Sequence, residues 1–406
     1  MLSFQEAKDA ILQGLPRMPT ETLALRDVIR RILAEDLTAE TDLPPFDNSS
    51  MDGYAIRVAD TIHARHDRRV MLQIAGDIQA GEMFDGRLMP GTTVRIMTGA
   101  PIPEGADAVA EQELVEARNG AIVISERLTE GRNIRRKGEE VRRGSVVLRQ
   151  GTYLSPAVIG VLASHGISQV KVFREPQVAL LATGSEVVEV DEPLLPGKIR
   201  NSNAYTLWGL IDESACKPID LGKSEDNEGE LRSKISEGLR YDVLVTSGGI
   251  SVGKYDLVLQ ILKDLGVEIR FWRVNIKPGM PMAFGIYDPS GSRPVPVFAL
   301  PGNPVSTFVT FLQLVRPALK RLSGEVEFHS PLRLFARLEH DFSKKDAKRH
   351  FARGVVRNDP GGLSVSVTGS QSSGILSSLV AANCLIVILE EQRDLKAGDE
   401  VEIELL

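Results

Sequence analysis

The chain has 406 residues, 42% hydrophobic, 25% charged and 5% aromatic, with a formal net charge of -7. That is the balance of a globular protein of roughly two to four domains, and it excludes a fibrous or disordered chain. The negative field and the few aromatics argue against nucleic acid and anionic membranes, so any anionic ligand must be held by local basic groups.

Residues 4–40 read as helical. Ala7, Ile11 and Leu12, then Leu23, Val28, Ile29 and Ile32, are spaced for one buried face. The opening MLSFQEAKDAILQGL carries acidic residues and does not resemble a signal peptide. No apolar run approaches the ~20 residues that span a bilayer, so the expected location is the cytoplasm. From DLPPFDNSSMDGYAIR to about residue 150, short β-like runs are separated by Gly and Pro, which predicts an all-β segment. LSPAVIGVLASHGI then reads as a helix with Ser155 as N-cap and Pro156 at its first position. Past about 176, QVALLATGSE, YDVLVTSGGISVGKYDLVLQILKDL and VPVFALPGNPVSTFVTFLQLVRPAL each run from strand through a glycine turn. Helical stretches lie between them. Strands and helices alternating in this way predict a doubly wound parallel sheet covered on both faces. From about 325 five short strands suffice for a small β-barrel.

The strongest chemical signal is Thr246-Ser247-Gly248-Gly249-Ile250-Ser251-Val252-Gly253-Lys254-Tyr255-Asp256, between a buried strand and a helix. Ligands of open α/β sheets bind at that edge. Glycines let backbone N–H groups approach an anion, and the helix start adds positive potential. Asp256 either caps the helix or holds a Mg²⁺ bridging phosphate oxygens. Three further loops are expected at the same edge: Thr183-Gly184-Ser185-Glu186, Lys277-Pro278-Gly279-Met280-Pro281 and Leu300-Pro301-Gly302-Asn303-Pro304. Lys277 offers a point charge for an oxyanion. Asn303 and Pro304 make a well-formed helix start and also a rigid wall for a ligand. Asp47 to Ala55 contains a D-G turn with more small polar residues and carboxylates than a turn needs. The basic run Arg132 to Lys137 is either a solvated loop or an anion grip. His63 and His66 lack a third ligand and read as surface residues. Cys216 and Cys384 form no C-x-x-C pair, which fits a reducing compartment and excludes a cysteine zinc site.

PPFDNSSMDGYA, RIMTGAPIPEGADAV, NIRRKGEE, TGSE, TSGGISVGKYD, IKPGMPMAFG and ALPGNPVS occur in this order. Together they resemble the molybdopterin molybdenumtransferase family, MoeA in bacteria and the E domain of gephyrin in animals, over essentially the whole chain. The resemblance implies a homodimer of four-domain subunits. A split helical/β domain I would cover 1–42 and 143–175, a β-rich arm 43–142, an α/β domain 176–324 and a barrel 325–406. The active site would be a cleft between the last two domains of one subunit and the arm of the other. It would bind adenylylated molybdopterin and molybdate, use Mg²⁺, and release AMP with the finished cofactor. Transient contact with other cofactor-biosynthesis proteins is also expected.

Carried onto this chain, the resemblance gives catalytic roles to Asp52, Thr98, Glu186 and Asp256 and metal binding to Asp226 and Asp256. Substrate binding falls to Arg135, Glu140, Gly248, Gly249, Ser251, Gly253, Lys277, Pro301, Gly302, Pro304, Arg353 and Ser373. Glu140 stands where the family often has aspartate. Met280 stands where many bacterial members have a second lysine, and Ser185 where aspartate or asparagine is common, so those two roles do not transfer. The rival functions are a molybdopterin adenylyltransferase, a non-catalytic molybdopterin-binding scaffold, and a generic sugar- or nucleotide-phosphate enzyme.

Overall fold

A computed structural model describes residues 1–250, 257–291, 293–326 and 334–406. Ser251, Gly253 and Asp256 therefore lie outside the described residues. The chain forms two compact units. One comprises Met1–Ala34, Gly151–Val158 and Gln169–Leu406; the other comprises Glu35–Gln150 and Ile159–Ser168. Among the described residues no helix is long and apolar enough to cross a membrane.

The first unit is built on a six-stranded sheet in the order Lys217–Ser224, Gln177–Thr183, Val243–Ser247, Val295–Leu300, Ala283–Tyr287, Glu268–Trp272. The first four strands are parallel. Ala283–Tyr287 runs antiparallel to both of its neighbours, which corrects the expectation of an all-parallel sheet. Side chains alternate across the central strands, as the period of two requires. Val178 and Leu180 enter one core with Leu207, Ile211, Val309 and Leu319. Ala179 and Leu181 enter the other with Leu231, Ile235, Val258 and Ile261. Helices Ser202–Glu213 and Pro304–Thr310 thus cover one face, and Glu228–Gly238 and Leu257–Asp264 the other. Each fully buried Leu, Ile or Phe contributes about 1.5–3 kcal/mol.

The expected helical stretch 4–40 is mostly something else. Only Phe4–Leu12 is α-helix, closed at its start by a Ser3–Glu6 capping box. Thr20–Ala24 is a strand paired antiparallel with Gln169–Phe173. Pro16 and Pro19 interrupt the helix, and the long-range pairing overrides the apolar spacing that followed them.

The C-terminal five strands close into a barrel, as expected. Arg349–Asp359 pairs with Gly362–Val367 on one side and Cys384–Ile388 on the other, and Leu334–Leu338 and Glu400–Leu405 complete the ring. Ala336, Ala352, Val365, Ile386 and Ile403 fill it.

The second unit is a curled six-stranded sheet in the order Ala108–Glu111, Gly53–Ile56, Thr92–Ile96, Val70–Ile78, Ala121–Ile124, Glu116–Arg118. Its two faces carry separate cores, one around Ile56, Leu72 and Ile122 and one around Ile78, Val94 and Val109. The helix Pro156–Ser164 forms where it was expected, with the amide of Val158 3.4 Å from Ser155 Oγ.

Candidate active site

Three loops leave the carboxyl ends of neighbouring parallel strands. These are Thr183–Glu186, Ser247–Ile250 and Leu300–Asn303. Gly248 and Gly249 both have positive φ, 91° and 67°. A Cβ on Gly248 would lie 2.3 Å from the carbonyl oxygen of Thr183, and one on Gly249 would lie 2.4 Å from Val258 Cγ2. Only glycine lets this turn sit against the neighbouring loop; the Gly248 N–H donates to the carbonyl of Leu300 at 3.1 Å, while Gly249 is exposed and leaves bare backbone facing outward.

Asn203 ties two of these loops together. Its side-chain amide donates to Ser247 Oγ at 2.9 Å and to the carbonyl of Gly302 at 2.8 Å. The sequence showed only a helix start here; Asn201 is the residue that caps the helix, by accepting from the amide of Ala204. Asn303 reaches the barrel, donating from Nδ2 to Ser373 Oγ at 3.1 Å, while the amide of Val305 donates to the carbonyl of Ser373 at 3.1 Å. Ser247, Gly302, Asn303 and Ser373 are thus linked through short polar contacts, next in sequence to Gly248, Pro301 and Pro304.

The Thr183–Glu186 loop carries Glu186 and meets Asp226, which follows the neighbouring strand Lys217–Ser224. Ser185 donates through its hydroxyl and its amide to Asp226 Oδ2, at 3.1 and 3.3 Å. Asp226 and Glu186 are both exposed. Both Ser185 bonds to Asp226 go to Oδ2, and among the described residues none reaches its Oδ1. No group of three or more His, Cys, Asp or Glu side chains suited to a metal occurs among the described residues.

The fourth expected loop departs from the plan. Ile276–Lys277 does not end a strand of the sheet; it pairs in parallel with Arg349 and His350 of the barrel. Lys277 thereby joins Arg353 around a small cavity of about 20 Å³ that His350, Phe351 and Gln371 also line. Arg353 is only 1% exposed. Its Nε donates to Ser378 Oγ at 3.1 Å and an Nη to the carbonyls of Ser372 at 3.0 Å and Ser370 at 3.4 Å. No carboxylate pairs with it among the described residues, and burial alone pulls its pKa down. A desolvated cation held only by neutral oxygens is costly unless an anion completes its surroundings. Arg353 also fixes the loop that carries Ser373.

Asp346 sits beside this cavity, a residue the sequence reading passed over. It accepts from His350 Nε2 at 2.7 Å and from the amide of Lys348 at 3.2 Å, with Lys277 Nζ at 3.5 Å. Burial would raise its pKa, but those hydrogen bonds and the charges of His350 and Lys277 outweigh it and hold the carboxyl at about 2. Burial conversely lowers the pKa of His350, against the pull of Asp346.

The second unit has its own polar cluster. Asp52 Oδ1 accepts from Thr98 twice, from the hydroxyl at 2.7 Å and the amide at 2.8 Å. The hydroxyl bond first, then the amide bond, depress its pKa. The D-G pair is not a hairpin turn: Gly53 opens a central strand, and Asn48–Ser49 pairs with Ile134–Arg135. Most of the basic run is neutralised internally. Arg132 meets Glu111 and Glu126, Arg136 meets Asp47, and Lys137 meets Asp42. Arg135 is exposed and has no ion-pair partner among the described residues. Glu140 is exposed too, its amide bonded to the carbonyl of Leu43. His63 and His66 are at the surface, as expected.

Comparison with known proteins gives three consecutive family matches. Residues 2–166 match the MoeA N-terminal region (domain I and II), 179–321 a probable molybdopterin binding domain, and 336–406 the MoeA C-terminal region (domain IV). A molybdopterin molybdenumtransferase of Haemophilus influenzae is 40% identical, covering 100% of this chain and 98% of that protein. One of Bacillus subtilis is 36% identical over 95% of this chain and 90% of its own length. The solved molybdopterin biosynthesis MoeA protein of Pyrococcus horikoshii matches with a TM-score of 0.86 and 32% identity, over 100% of both chains. With matched regions that together span nearly all 406 residues, and relatives aligned end to end, the chain belongs to the MoeA family.

Proposed function

We infer that this chain inserts molybdate into adenylylated molybdopterin and releases AMP. It is a transferase of molybdenum cofactor biosynthesis, as its family membership and full-length relatives indicate. The observation that supports the finer reading best is Arg353, a buried cation without a carboxylate, set beside Lys277 and bonded to the loop that carries Ser373. Molybdate is a tetrahedral dianion and needs donors rather than carboxylates. Arg353, Lys277, Ser373 and the backbone around Pro301 and Gly302 supply donors.

In this reading Gly248 and Gly249, with Ser251 and Gly253, receive the phosphates of the adenylylated pterin. Asp226 and Asp256 would hold Mg²⁺, which when bound supplies positive charge beside the phosphates. Asp52 is kept ionised by its two bonds from Thr98, so it serves as an acceptor for pterin N–H groups rather than as a proton donor. Glu186 orients the same ring or moves a proton. Arg135 and Glu140 belong to the arm, which in a homodimer would complete the site of the other subunit. The division into domains at 1–42 with 143–175, 43–142, 176–324 and 325–406, and a cytoplasmic location, complete the proposal.

The test is chromatographic detection of AMP from adenylylated molybdopterin, with and without molybdate. AMP release that depends on molybdate is the expected result. Release that ignores molybdate would refute it, and formation of adenylylated pterin from ATP and molybdopterin without molybdate would favour an adenylyltransferase.

A further inference from the structure

We propose that Lys348 is a second substrate-binding ammonium of this chain, acting beside Lys277 on a tetrahedral oxyanion; this rests on the function proposed above. The ammonium of Lys348 ends 3.3 Å from the sulfur of Met280, in the same turn that begins with Lys277. A thioether is a weak acceptor, whereas an ammonium has three strong donors to satisfy. The neighbouring cations are better matched. Arg349 pairs with Glu390 at 3.1 Å, and the ammonium of Lys344 is capped by the carbonyls of Lys348 and Leu389. No carboxylate pairs with Lys348 among the described residues.

Asp346 organises the pair. Its Oδ1 accepts from His350 and from the backbone amide of Lys348, while its Oδ2 faces Lys277 at 3.5 Å. The amide bond fixes the backbone from which Lys348 projects. The long contact to Lys277, whose side chain is 55% exposed, is a loose ion pair that an incoming dianion can outcompete. One ammonium thus begins the turn Lys277–Met280 and a second meets its end, and Lys277 shares a small cavity with Arg353.

The experiment uses the full chain and its Lys348→Ala, Lys348→Arg and Lys277→Ala variants, each checked for an unchanged thermal midpoint. AMP release is titrated against molybdate at saturating adenylylated molybdopterin, and against the pterin at saturating molybdate. K348A should raise the KM for molybdate about tenfold, the loss of one charge-assisted hydrogen bond, with kcat changed by less than about twofold. K348R should recover most of the difference. A rise confined to the KM of the pterin would place Lys348 on the substrate phosphate, the same oxyanion chemistry from the other source. Wild-type KM values in K348A, with K277A impaired, would overturn the role of Lys348 and leave the proposed function intact. A wild-type chain that releases no AMP with molybdate would overturn both.

Discussion

Replacing Asn203 by alanine separates positioning from folding at the centre of the sheet edge. The side-chain amide makes two hydrogen bonds, 2.9 Å to Ser247 Oγ and 2.8 Å to the carbonyl of Gly302. Fully buried, two such bonds would be worth about 1–3 kcal/mol net. Asn203 is half-buried, so water can replace part of that, and the stability loss should be about 1 kcal/mol. The effect on catalysis should be larger. The two loops that Asn203 joins carry Gly248, Pro301 and Gly302, and a displacement of roughly 1 Å at such a site costs about 100-fold. The expected result is a fall of about 10- to 100-fold in kcat/KM for molybdate-dependent AMP release. The thermal midpoint should move by only a few degrees, roughly what 1 kcal/mol produces in a large chain. Wild-type turnover in N203A would refute the claim that this amide sets the loop geometry. So would a loss of activity that simply tracks unfolding.

Two further outcomes are expected. Thr98→Val removes the hydroxyl that donates at 2.7 Å to Asp52 and leaves the amide, so the Asp52 pKa should climb towards its ordinary value; the acidic limb of the pH–rate profile should move to higher pH, and an unmoved limb would exclude Asp52 from it. Glu404 is pushed up by burial, despite a bond from Gln313 and aided by the charge of Glu402. A carboxyl whose folded pKa is raised favours the fold only while protonated, and that contribution disappears as pH rises through the folded value. Glu404→Gln should therefore raise the thermal midpoint at pH 8 more than at pH 4, and an equal change at both would contradict the assignment.

The glycine loops after buried strands were readable because the signal is local: an apolar run, then residues that tolerate left-handed backbone, then a helix. The barrel was readable from five short runs of strand-forming residues. What failed depended on distant partners. TETLA looks like part of a helix until Gln169–Phe173 pairs with it. IKPGMP looks like another sheet-edge loop until His350 and Arg349 draw it to the barrel. Asn203 carries no signal beyond a polar residue near a helix start, because both of its acceptors lie on other loops. Arg353 lies in HFARGVV, where spacing says nothing of whether a guanidinium is buried or solvated. Asp346 and Lys348 lie between two short strands, in a stretch whose charges read as surface loop.

Arg353 has a consequence outside catalysis. With its guanidinium out of water and matched, among the described residues, only by hydroxyl and carbonyl oxygens, Arg353 places an unbalanced charge in the protein interior. A small dianion held there, as the proposed function requires, would bind the folded chain and not the unfolded one, and would raise resistance to heat with the logarithm of its concentration. On the proposed function, oxyanion supply would then govern how long the protein lasts as well as how fast it works.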